Sequence, residues 1–110
     1  MEECLFCKII NKELPSEIVY EAEETIAFKD THPKASVHIL ILPKKHILSV
    51  NHLTSEDKNL IGDLFLVAQK IAKEKDLKGY KLAINVGKEG GQLIDHLHLH
   101  LLGGAIEEMP

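Results

Sequence analysis

The run His96-Leu97-His98-Leu99-His100-Leu101-Leu102 admits few conformations. In a helix, residues two apart point to nearly opposite sides, which would scatter the three imidazoles over incompatible surfaces. In a strand, the period of two gathers His96, His98 and His100 on one face and turns Leu97, Leu99 and Leu101 toward the core on the other. A rise of about 3.3 Å per residue then sets neighbouring imidazoles roughly 6 to 7 Å apart. Packing alone does not explain a regular histidine-leucine repeat, so the histidine face is read as chemical. Two chemistries are open at this stage. Either some of the histidines bind a metal ion, or one imidazole is a nucleophile whose neighbours set its tautomer and charge.

The rest of the chain supplies a sheet for that strand. Apolar positions at helical spacing predict a short helix over Phe6 to Lys12, stopped before Leu14-Pro15. Glu17–Glu21 and Thr25–Asp30 read as a hairpin, with Ile26, Phe28 and Asp30 on one face. Val37–Leu42 is nearly all apolar, as expected of a buried central strand closed by Pro43. Thr54-Ser55-Glu56-Asp57 carries a cap and an acidic first turn. Leu60, Ile61, Leu64, Phe65, Ala68, Ile71 and Ala72 then follow at three- and four-residue steps, predicting one long amphipathic helix that ends near Lys78-Gly79. Tyr80–Val86 alternates as a strand, and His96–Leu102 follows it. The expected fold is α+β, an antiparallel five-stranded sheet with one long and one short helix, formed by residues 1–110 as a single domain. At 110 residues there is no room for a second core.

Composition limits the ligand. Net charge is −4, so no broad nucleic-acid footprint is expected. All 13 basic residues are lysines, which removes the guanidinium fork used for bidentate phosphate clamping. A phosphate here must rely on backbone amides, histidines, amide side chains or lysine. Gly87, Gly90 and Gly91 let backbone N–H groups turn toward an anion, and Gln92 adds a side-chain donor; the same loop also reads as a plain hairpin connection. It matches neither a Walker A loop nor the dinucleotide fingerprint. No run approaches a membrane span, and the acidic start Met1-Glu2-Glu3 is unlike a secretory signal, so a cytoplasmic protein is expected. There, Cys4-x-x-Cys7 points to metal binding or redox chemistry rather than a structural disulfide.

Taken together, these residues resemble the histidine-triad (HIT) superfamily. The run His96 to Leu102 is similar to its His-φ-His-φ-His-φ-φ signature. Phe6-Cys7-Lys8-Ile9-Ile10, Ala27-Phe28-Lys29-Asp30, Pro43-Lys44-Lys45-His46-Ile47, Asn85-Val86-Gly87, Gly91-Gln92 and Leu102-Gly103-Gly104 look like its landmarks in order. The match is nearest the Hint-like branch of nucleoside phosphoramidases. The resemblance implies that His98 attacks the α-phosphorus of a purine nucleoside 5′-phosphoramidate of the AMP type, leaving a nucleotidylated imidazole that water hydrolyses. It further implies that His100 contacts the phosphate and handles the leaving-group proton, with His96 completing the triad. Asp30 is expected at the ribose, Phe28 at the base, and Asn85, Gly91 and Gln92 around the phosphate. Simpler readings stand beside these: Asp30 as a loop-capping carboxylate, Phe28 as core, Asn85 as a turn residue.

The resemblance also implies a structural Zn²⁺ held by Cys4, Cys7, His46 and His96, pinning the N-terminal helix to the triad strand; two free thiols are the alternative. Without zinc, His46 and His96 would form a hydrogen-bond relay behind His98. A homodimer whose sheet continues across the two-fold axis is implied as well, with the tail 103–110 reaching toward the partner's site. Two positions depart from the Hint-like pattern. Leu93 stands where many relatives carry serine, and Asp95 replaces a bulky or aromatic residue, either holding a proton on a neighbouring imidazole or facing solvent. His38 is expected to satisfy backbone groups within its strand, His52 to face water and His32 to sit in a loop. The alternatives to a phosphoramidase are a non-catalytic nucleotide-binding module and a metal-dependent hydrolase.

Overall fold

The structure is a computed structural model, which describes residues 4–106. Five strands form one antiparallel sheet: β1 (Ile18–Glu21), β2 (Thr25–Lys29), β3 (Ala35–Pro43), β4 (Tyr80–Ala83) and β5 (Leu99–Ile106), in the order β1-β2-β3-β5-β4. Helix α1 (Leu5–Ile10) covers one face and the long helix α2 (Lys58–Glu74) the other.

Strand alternation sorts the two cores. Ile39, Ile41, Leu99 and Leu101 turn toward Leu64, Val67, Ala68 and Ile71 of α2, all of them buried. The intervening residues Leu40 and Leu42, with Ile26 and Phe28 of β2, meet Phe6 and Ile9 of α1. At ~25 cal/mol per Å² of apolar surface buried, the α2 side carries the larger share of the hydrophobic stabilisation. The α1 side is thinner, and this is the face that carries the imidazoles.

The elements depart from expectation at their ends. Helix α1 stops at Ile10, and Lys12 takes a left-handed φ of 65° just beyond it. Helix α2 is preceded by a 3₁₀ turn, Ser55–Asp57, where Thr54 and Asp57 form a reciprocal capping box. It ends before Lys78-Gly79 because Asp76 adopts φ 57° and Leu77 N–H donates back to the Ala72 carbonyl at 2.9 Å. Strand β4 gives out at Ala83 rather than Val86. Strand β5 begins at Leu99, so His96 and His98 precede the ladder. That segment is tied elsewhere, with Leu97 N–H donating to the Ile47 carbonyl at 2.7 Å. Pro43 lies inside β3, opposite Thr25. Among the described residues no helix is long and apolar enough to cross a membrane. The expected reach of the tail into a partner's site falls largely on 107–110, outside the described residues.

Candidate active site and metal centre

The three triad imidazoles gather on the α1 face, though not at strand spacing. The His98 and His100 ring centroids lie 4.9 Å apart, nearer than the 6 to 7 Å expected of a regular strand, because His98 precedes the ladder and the rings tilt 57° to each other. His98 is buried, and its Nδ1 donates to the main-chain carbonyl of His96 at 2.7 Å. In a neutral ring this places the proton on Nδ1 and the lone pair on Nε2. Burial pushes the His98 pKa below its ordinary value, partly offset by the bond to His96 and the charge of Asp30. The ring is therefore neutral at pH 7 and has a free basic nitrogen, which nucleophilic catalysis requires.

His38, read from sequence as a strand residue satisfying backbone groups, belongs to the site. Its Nδ1 does accept a backbone N–H, that of Lys34, at 3.0 Å. The proton must then sit on Nε2, which lies 2.9 Å from Nδ1 of His100 and 3.4 Å from Oδ2 of Asp30. His100 thus accepts at Nδ1 and carries its own proton on Nε2, the tautomer that presents a hydrogen-bond donor on that side. Burial, with His98 and His38 behind it, pushes the His100 pKa down to about 4. Asp30 also accepts the His32 N–H at 2.8 Å, so the capping and site readings of this carboxylate hold together. Phe28 is buried and meets Phe6 edge to face at 5.5 Å.

The glycine loop is braced from within. Gln92 donates both amide hydrogens to main-chain carbonyls, of Leu48 at 2.7 Å and Ile94 at 2.9 Å, while its Oε1 accepts from Gly87 N–H. The expected phosphate donor is therefore occupied as a staple, which corrects that part of the sequence reading. Asn85 donates to the Gly91 carbonyl at 3.2 Å, and Gly91 holds φ 88°. Leu93 and Asp95 face solvent.

Cys4, Cys7, His46 and His96 converge, their ligand atoms all within 4.8 Å of one another. Cys4 Sγ lies 3.4 Å and Cys7 Sγ 3.7 Å from His96 Nδ1, and Cys7 Sγ lies 3.2 Å from His46 Nδ1. His96 Nε2 donates to the Pro43 carbonyl at 2.8 Å, which leaves Nδ1 as a lone pair aimed at the sulfurs. Burial drives the His96 pKa to about 4, and burial with Cys4 raises that of Cys7 to about 11. Two thiols and two imidazoles with their lone pairs turned inward suit a tetrahedral cation that replaces the thiol protons. His46 Nε2 is buried without a partner. Asp30, His38 and His100 also lie within 4.8 Å of one another, but His38 has no lone pair to give, so this trio does not suit a metal.

Comparison with known proteins bears on this geometry. Residues 3–109 match the family model described as scavenger mRNA decapping enzyme C-term binding. Protein HitA of Neisseria gonorrhoeae is 45% identical over 104 residues, covering 94% of this chain and 97% of that protein. A HIT family hydrolase from Clostridium thermocellum is 46% identical and superposes with a TM-score of 0.93, over 100% of this chain and 96% of that one. A histidine triad nucleotide-binding protein from Candida albicans is 29% identical with a TM-score of 0.80, over 98% and 87% of the respective chains.

Proposed function

The chain belongs to the histidine-triad (HIT) family, and from that premise we propose that it is a hydrolase of purine nucleoside 5′-phosphoramidates working through a nucleotidyl-histidine intermediate. The observation that carries this reading is the 2.7 Å bond from His98 Nδ1 to the His96 carbonyl, which turns the Nε2 lone pair into the attacking atom. Nε2 forms a bond to the α-phosphorus as the P–N bond breaks. The amine leaves with a proton taken from solvent, while His100 Nε2–H donates a hydrogen bond to the phosphate and the positive charge developing on the His98 ring is held by the same carbonyl. Water then attacks phosphorus, gives its proton to solvent, and releases the nucleoside monophosphate and free His98.

On this reading Asp30 takes a ribose hydroxyl, while Phe28, buried against Phe6, backs the site from the core. The loop around Gly91, held by Asn85 and Gln92, would offer its backbone N–H groups to the phosphate. The Cys4, Cys7, His46 and His96 centre takes structural Zn²⁺; four protein ligands leave no open position on it, so the reaction runs on imidazoles. A homodimer fits the surface, since β4 ends the sheet among the described residues and Phe65, Leu66 and Tyr80 expose large apolar side chains.

The test follows amine and AMP release from an adenosine 5′-phosphoramidate, with and without a strong chelator, for the protein and its His98→Ala variant. Release that needs His98 and survives the chelator supports the proposal. Intact AMP binding without release would replace it with a nucleotide-binding module, and release abolished by brief chelation of folded protein would favour a metal-dependent hydrolase.

A further inference from the structure

Among the described residues, two of the three hydrogen-bond and ring contacts of the His98 ring come from residues in or between the four metal donors, the third being the His100 ring at 4.9 Å. Its Nδ1 donates to the carbonyl of His96, which is itself a donor residue with no exposed surface. On the other side stands Phe6, between Cys4 and Cys7, whose ring meets His98 edge-on at 5.0 Å and 88°. Phe6 also touches Phe28 and His96, at centroid distances of 5.5 and 6.1 Å. It is carried by a helix of six residues, far too short to persist by itself, with only Phe6 and Ile9 buried. Protonated, the centre offers that helix only thiol–imidazole contacts of 3.2 to 3.7 Å. An ion bonded to both sulfurs and both imidazoles replaces these with strong bonds from α1 to the His96 segment.

We infer that the Cys4/Cys7/His46/His96 centre is a positioning device for the nucleophile: metal loading fixes the plane and tautomer of His98 through the His96 carbonyl and the Phe6 ring. This rests on His98 being the attacking residue and goes beyond zinc as a fold staple, because it makes Cys4, Cys7 and Phe6 determinants of the reactive ring. None of the three touches the reacting atoms.

The test needs no substrate. In protein labelled with ¹⁵N in its histidine rings, long-range proton–nitrogen correlation reads the tautomer of His98 with zinc loaded and after zinc is removed by a chelator. The loaded protein should show His98 as one tautomer, protonated on Nδ1; on removal its two nitrogen shifts should converge while the amide signals of α2 and β3 stay in place. Unchanged His98 signals across zinc removal, or failure to bind a tenth of an equivalent of zinc, overturns the inference. Should the metal-free protein unfold, Phe6→Leu decides, since it alters no donor. With zinc retained, kcat should fall about tenfold while KM stays within about twofold; unchanged kcat overturns the inference. A protein inactive on phosphoramidates would sink the proposed reaction and leave the NMR result standing.

Discussion

His38 and His100 meet nitrogen to nitrogen, Nε2 to Nδ1 at 2.9 Å, and the Lys34 backbone N–H on the far side of the His38 ring decides which of them donates. A backbone amide thereby sets, through two imidazoles, the proton that His100 presents. Replacing His38 with alanine leaves His100 Nδ1 without its donor. We expect kcat to fall about ten- to a hundredfold, the range for losing an oriented buried hydrogen bond. His38→Gln, which can still donate from its amide, should recover part of the loss. Steady-state kinetics of both variants check this, and equal activity of His38→Ala and the parent would refute it.

Acid should act on both rate and stability. His100 resists its proton until about pH 4, and burial lowers His98 and His38 in the same direction. Activity should therefore hold level from about pH 7 to 6 and decline only below the ordinary histidine value. In the unfolded chain His100 takes its proton near 6.5, so between 6.5 and 4 the unfolded state binds more protons. The stability contributed is complete above pH 6.5 and is lost as pH falls through that window, by roughly 3 kcal/mol for this group. A pH–rate profile and thermal melts at several pH values check both limbs; a rate midpoint at or above pH 7 contradicts the first.

Purified protein should carry about one zinc per chain, with sulfur ligands at about 2.3 Å and nitrogen at about 2.0 Å. Replacing Cys4 and Cys7 together with serine should abolish binding. Elemental analysis and X-ray absorption read these directly. Octahedral oxygen coordination would place the metal elsewhere.

Gly91 holds φ 88°, and a Cβ there would lie 3.1 Å from Asn85 Nδ2. Gly91→Ala should cost about 1 to 2 kcal/mol for the left-handed backbone and loosen the Asn85 bond to its carbonyl. Urea unfolding gives the stability change, and a matching rise in KM would tie this loop to the phosphate. A neutral substitution would show that the loop relaxes freely.

Much of the site was legible because a strand has period two: His98 and His100, with Leu99 and Leu101 behind them, sort by alternation alone. His38 was not. It stands in an apolar run that reads as core, and its meeting with His100 depends on register, since Leu40 lies opposite His100 and His38 opposite Leu102. Diagonal contacts of that kind are absent from a linear pattern. Gln92 was misread for a related reason, because the sequence shows a donor but not the carbonyls of Leu48 and Ile94 that use it. Of the four metal donors, Cys4 and Cys7 are legible from their spacing, but His46 and His96 join them only through resemblance, because three strands lie between Cys7 and His46 and a linear pattern does not show that they converge.

The pairing of β3 with β5 has a consequence for how the molecule can fail. Sliding β5 by one residue would drive His100 into the apolar layer beneath α2 and lift Leu99 and Leu101 onto the imidazole face. An imidazole stripped of water with no partner, together with displaced leucines, makes that slipped form costly. The alternation that assembles the chemistry thus also proofreads the chain, so a population of stably folded but misassembled molecules is not sustained.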